Sequence, residues 1–261
     1  MYPRFVGVPR HDSTLLWSQR LPGSHAVDPD AVPSLLGRQS AGKGLDRALA
    51  VRDLFDEAAL FVSASQTHNG KNVNRTVEQT MADVKVMGKR IMAEGLTFCA
   101  VIATAFGCPY EGRVPQERVL GLAEEFAAAG ATEIGFGDTT GMANPRQVRE
   151  FFAAAPQSLG DGVELTAHFH NTRGAGLANV LAALDAGVQS FESSFGELGG
   201  CPVPAGATGN IATEDLVSML HEMGIQTGID LPALIACARR VQEILGRPLG
   251  SHTLVAGPVD W

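Results

Sequence analysis

No stretch of this 261-residue chain is apolar for long enough to span a bilayer, and no tract is of low complexity. The opening residues MYPRFVGVPRHD lack the apolar centre of a secretory leader. Cysteine is scarce: Cys99, Cys108, Cys201 and Cys237 are widely spaced, with no CxxC pair. That excludes a disulfide framework and predicts reduced thiols. Basic charge is in deficit, with 20 Lys and Arg against 28 Asp and Glu and a formal charge of −8, so nucleic acid is not an expected partner. A GxGxxG fingerprint after the first strand is missing, and so is any GxxxxGK followed by Ser or Thr. A nucleotide-binding doubly wound sheet therefore has no support. The expectation from these absences is a soluble cytoplasmic protein that engages neither a membrane nor a nucleic acid.

What is present is one repeated phrase. A helical segment, GLDRALAVRDLFDEA, leads into the apolar strand Ala59–Ser65. A polar loop, Ser63–Asn74, and an amphipathic helix from about Asn74 to Ala93 follow. The strand LTFCAVIATAFG precedes a helix opened by Pro115 and stopped by Gly130. Thr132–Asp138 is a third strand, and its helix has Asn144 as N-cap with Pro145 next. VELTAHFH and VQSFESSF are the fourth and fifth strands, separated by a helix ending at Gly187. Two more helices, TEDLVSMLHEMG and LPALIACARRVQEILG, complete the pattern. Alternation at this spacing, with near-continuous apolar strands, predicts a parallel sheet covered by helices. Polar residues gather where the strands end, as expected of a TIM-type α/β barrel. Only five strand–helix units are clear, so the barrel is expected to be incomplete at its N-terminus. Residues 1–42 read as an atypical segment and 43–261 as the barrel domain.

Several strand ends carry chemistry. In AHFHN, an extended chain points His168 and His170 to one face. From the pair alone two readings stand: metal ligands, or polar residues bonded to nearby backbone. The glycine-rich stretch Gly196–Asp215 is long for a compact domain, which favours function, and holds Cys201. A thiol there can be an acid, a nucleophile or a redox switch; the bland reading is a filler residue in a surface turn. Asn210 offers a neutral oxygen that can join two imidazoles on a cation. Asp138 in GDTTG can be a base, a partner of a ligand histidine, or merely a turn residue. FGCPYEG, with Tyr110 and Glu111, and SASQTHNGKNVN complete a set of polar loops on one rim.

Taken together, SAS–THN–KN–N, FGCPYEG, GDTTG, AHFHNTRG–LAN, LGGCP–GA–GN–ATEDLV and GI–TGIDL resemble the HMG-CoA lyases of the DRE-TIM metallolyases. The likeness runs from about residue 43 to about 250. It implies an eight-stranded barrel that uses Mg2+ or Mn2+ to split 3-hydroxy-3-methylglutaryl-CoA into acetyl-CoA and acetoacetate. It further implies His168, His170 and Asn210 as metal ligands and Cys201 as the catalytic acid. Asp138 and Glu214 become catalytic supports, and Ser63, Ser65, Asn69, Tyr110 and Glu111 substrate-binding residues. An acyl-CoA substrate and a homodimer are expected. There are departures. The family's Arg-Asp-Gly strand, which supplies a metal carboxylate, is missing, and residues 7–42 do not match the family. An incomplete copy is the expected explanation, a rebuilt N-terminus the other. Asn171 and Arg173 replace an Asp and an aromatic residue, and Glu197 stands where Gly is common. Two further readings are a catalytically impaired barrel acting as a partner subunit and a Claisen-type condensing enzyme.

Overall fold

The computed structural model describes Leu15–Leu16, residues 41–52, 55–200 and 209–259. A helix α1 (Ala41–Leu49) precedes β2 (Glu57–Ser63), α2 (Gln66–Val73) and α3 (Val77–Ala93). There follow β3 (Thr97–Ala103), α4 (Gln116–Ala128), β4 (Glu133–Asp138), α5 (Pro145–Leu159), β5 (Glu164–Phe169), α6 (Gly176–Asp185) and β6 (Ser190–Glu192). The C-terminal part is helical: α7 (Thr213–Glu222), α8 (Leu231–Leu245) and α9 (His252–Ala256). Strands β2 to β6 are parallel and lie in chain order. Leu15–Leu16, strand β1, pairs antiparallel with Ala59 and Leu60 of β2. This is the expected α/β arrangement with five parallel strands; a closed ring of eight is not present among the described residues. No described helix is long and apolar enough to cross a membrane.

The local chemistry explains most boundaries. Asn144 is the N-cap of α5, its side chain accepting from the Gln147 N–H, and Pro145 opens the helix. Thr76 and Gln79 form a reciprocal capping box at the start of α3. Two expectations are corrected. The stretch after Ser65 is helix α2 rather than a loop: Ser65 caps it, and Asn74, in the left-handed region at φ 55°, ends it. Hence α3 begins at Val77 and not near Asn74. The first predicted helix also runs too far, since Glu57 and Ala58 already pair with Thr97 and Phe98 in β2. Cross-strand pairing there outweighs the helical pattern of the sequence.

The core sits between the sheet and its helices. Strand β4 is buried along its whole length. Against it packs a group of phenylalanines with rings set edge to face: Phe136–Phe151 at 4.8 Å and Phe151–Phe152 at 5.3 Å between centroids. Each such side chain contributes about 1.5–3 kcal/mol by leaving water. Gly88 lets α3 lie on the Phe98 ring; a Cβ there would come within 2.5 Å of it. The C-terminal helices form a second, smaller core around Val217, Leu234, Ile235 and Leu254.

Candidate metal and active site at the strand ends

All five parallel strands point their C-terminal ends to one rim, so register decides which side chains meet there. In the β4–β5 ladder Gly137 stands opposite His168 and Asp138 opposite Phe169. In the next ladder His168 stands opposite Glu192. Adjacent strands lie under 5 Å apart, which brings residues distant in sequence into contact.

His168 and His170 face one another, Nε2 to Nε2, at 3.1 Å. His168 Nδ1 is 2.7 Å from Glu192 Oε2. With the Nδ1 proton donated to that carboxylate, the Nε2 lone pair is directed at His170. Glu192 was not among the expected site residues; only the strand register supplies the link. His170 pairs with Asn210 through an isolated backbone bridge. Asn210 is 2% exposed, and its amide donates to Leu198 O at 2.9 Å and Ser194 Oγ at 3.3 Å. Its Oδ1 is buried with no hydrogen-bond partner among the described residues. An acceptor oxygen stranded in this way costs about 1–3 kcal/mol unless something binds it. Two imidazole nitrogens and a stranded amide oxygen are a donor set that suits a divalent cation. The residues present thus fit the metal implied by the family resemblance.

Asp138 is 1% exposed. Its Oδ1 accepts from the Met142 N–H at 2.7 Å and the Ala143 N–H at 3.1 Å, while Oδ2 has no partner among the described residues. Burial pushes its carboxyl up to about 6, against the pull of those N–H groups and of the Arg173 guanidinium. Glu214 is fully buried, and its two oxygens accept from the Gly196 N–H at 3.2 and 3.0 Å. Burial raises its pKa as well. It anchors the start of the glycine-rich loop at a residue whose φ of +50° and close approach to Leu249 leave no room for a side chain. Cys201 lies outside the described residues.

The remaining sequence-derived residues fall into two groups. Ser63, Ser65 and Asn69 are fully buried and hydrogen-bonded to one another's segment. Asn69 Oδ1 accepts from the Ser63 N–H, Ser63 Oγ lies 2.8 Å from Thr104 Oγ1, and Ser65 Oγ accepts from the His68 N–H. They fix the start of α2 at the rim. Tyr110 is exposed beneath the Lys71 ammonium, 5.2 Å from the ring centroid. Glu111, also exposed, accepts from the Thr67 N–H at 2.6 Å. Thr104 was not anticipated: it has φ +54° and ends β3 in a conformation that costs a non-glycine residue about 1–2 kcal/mol.

Two further features lie apart from this rim. Glu57, Cys99 and Glu133 bring ligand-type atoms within 4.8 Å of one another at the opposite ends of the strands. There the Cys99 thiol lies 3.6 Å from Glu133 Oε2, and Thr166 donates to Glu133 Oε1 at 2.8 Å. A cavity of about 500 Å³ opens at that same base. Another of about 590 Å³ lies between α3 and α4. Neither adjoins the histidines.

A family model described as HMGL-like matches residues 32–241. The chain belongs to the HMGL-like family. The hydroxymethylglutaryl-CoA lyase of Bacillus subtilis is 38% identical over 244 residues, covering 87% of this chain and 81% of that relative. The (R)-citramalyl-CoA lyase of Chloroflexus aurantiacus is 44% identical over 200 residues, covering 77% of this chain and 63% of that relative. Among solved structures, an HMG-CoA lyase from Acinetobacter baumannii in complex with coenzyme A and 3-methylmalate superposes with a TM-score of 0.79 at 39% identity. That superposition covers 89% of this chain and 81% of the other. The HMGL-like resemblance read from the motifs is therefore borne out, as is the α/β architecture.

Proposed function

We propose that this chain is a divalent-metal-dependent carbon–carbon lyase acting on a 3-hydroxyacyl-CoA. The first substrate to test is 3-hydroxy-3-methylglutaryl-CoA, split into acetyl-CoA and acetoacetate. The observation that carries the reading is the stranded Oδ1 of Asn210, the residue whose backbone bridges His170, together with the paired His168 and His170 nitrogens. In this reading those three residues hold Mg2+ or Mn2+. A divalent ion bound there supplies Lewis acidity toward the hydroxyl and carbonyl oxygens of the substrate.

The protein's own groups do the rest. Glu192 keeps the His168 ring in the ligand orientation. Asp138, with an unpartnered Oδ2 on the rim, takes the hydroxyl proton. The C2–C3 bond then breaks, and its electron pair forms the acetyl-CoA enolate. Cys201 protonates that enolate, a role that rests on the family resemblance. Glu214, through the Gly196 N–H, sets where the cysteine loop begins. Ser63, Ser65 and Asn69 shape the floor of the substrate site, and Tyr110 and Glu111 border it. Residues 43–261 form the lyase domain in this reading, with 1–42 as a separate segment. A homodimer in the cytoplasm completes it, supported by the resemblance alone and read by light scattering and fractionation.

A second substrate, (R)-citramalyl-CoA, is favoured by the higher identity to the Chloroflexus enzyme. One experiment separates them. The chain is incubated with Mn2+ and each thioester, and acetyl-CoA is measured together with acetoacetate or pyruvate. Turnover of one thioester, lost in His170→Ala, supports the lyase reading and names the substrate. Absence of acetyl-CoA from both, with no Mn2+ bound at millimolar concentration, sinks it in favour of the catalytically impaired barrel.

A further inference from the structure

Arg173 follows the histidine strand by three residues, so its Cα lies at most about 11 Å from that of His170. Its Nη1 donates to Thr140 O at 2.7 Å and Gly141 O at 3.1 Å, the turn that follows Asp138. Gly141 has φ +61°, and the space of its missing Cβ is filled by Thr172 at 2.7 Å. The turn and the Arg173 segment are thus pressed together, and the guanidinium is pinned on top of the rim. Among the described residues no carboxylate lies within ion-pair distance of it, unlike Arg52, Arg75, Arg90 and Arg146. The residue is exposed, and its charge is felt by the buried Asp138. With Nη1 occupied by carbonyls, Nη2 and Nε remain as a flat pair of donors suited to a carboxylate.

We propose that Arg173 binds the distal carboxylate of the acyl group and so selects dicarboxylic 3-hydroxyacyl thioesters over monocarboxylic ones. This rests on the lyase reading above. The position favours the acyl end: the guanidinium borders the turn of Asp138, where the reacting carbon sits in that reading, whereas the phosphates of coenzyme A lie a full pantetheine arm away. A charge-assisted, partly desolvated pair of this kind is worth about tenfold to hundredfold in affinity.

The test crosses the ligand carboxylate with the side chain. Binding of 3-hydroxyglutaryl-CoA, 3-hydroxybutyryl-CoA and coenzyme A is measured calorimetrically for the full chain, Arg173→Gln and Arg173→Lys, each checked for an unchanged melting temperature. The wild-type chain should prefer 3-hydroxyglutaryl-CoA over 3-hydroxybutyryl-CoA by tenfold or more. Arg173→Gln should erase that preference and leave the other two ligands unchanged, with Arg173→Lys between. Equal weakening of all three ligands overturns the proposal in favour of a phosphate contact or a structural role. A preference that survives in Arg173→Gln overturns it too. A wild-type chain that binds none of the three refutes the lyase reading itself, and the proposal with it.

Discussion

Asp138→Asn should make the metal-free protein more stable at neutral pH. In the folded chain burial holds the Asp138 carboxyl at about 6, against an ordinary value of 3.8. The folded state therefore binds this proton more tightly than the unfolded one. Its contribution to stability is most favourable below the unfolded value, is lost as pH rises through the window from about 4 to about 6, and is level above that. A shift of this size corresponds to about 3 kcal/mol in full, with about 2 kcal/mol of it falling between pH 4 and pH 7. Asn keeps an acceptor for the Met142 and Ala143 N–H groups but has nothing to ionise. The assay is urea unfolding of both proteins at pH 4, 5, 6 and 7, at fixed ionic strength with EDTA so that no cation alters the charge. The stability difference should move toward the variant by about 2 kcal/mol across that range, while acetyl-CoA release is lost. A difference that stays constant with pH refutes the claim that the buried carboxyl resists ionisation.

Two other perturbations probe neighbouring contacts. Glu192→Gln weakens the hold on the His168 Nδ1 proton, so Mn2+ affinity measured by paramagnetic resonance should drop about tenfold or more; unchanged affinity would mean that the carboxylate does not orient the ring. Glu197 occupies φ +62° and accepts a hydrogen bond from Asn171. Glu197→Ala loses the bond and keeps the strain, whereas Glu197→Gly loses the bond and relieves the strain. Chemical denaturation should therefore find the alanine variant less stable than the glycine variant by about 1 kcal/mol, and equal stabilities would argue against backbone strain there.

Much of the fold was legible because its signals are local. Asn144–Pro145 marks the start of α5 by side-chain capping alone, and the apolar runs of β2 to β5 mark strands. Helix α2 was not legible, since Asn69–Gly70 in isolation reads as a turn; its helicity depends on the Ser65 cap and on Asn69 bonding to Ser63 and Thr80. The same division runs through the site. His168 and His170 are visible by their period of two, and Asn210 by its amide oxygen in the glycine-rich stretch together with motif likeness. Glu192 as the partner of His168 follows from which residue of β6 stands opposite it, a register that no single segment encodes. The positive φ of Glu197 gives a physical reason why glycine suits that position.

The chain-order arrangement of the sheet has a consequence for how the molecule comes into being. Each strand from β3 onward pairs with the strand made just before it, so every new strand–helix unit can dock as soon as it leaves the ribosome. The closures needed are short, which favours rapid growth from the first unit outward. The ligand set behaves differently, for His168 and His170 emerge some forty residues before Asn210. During synthesis the scaffold is thus already standing while the cation site still lacks its amide oxygen. A nascent chain halted before residue 210 should carry the sheet and helices in place yet hold a divalent ion poorly.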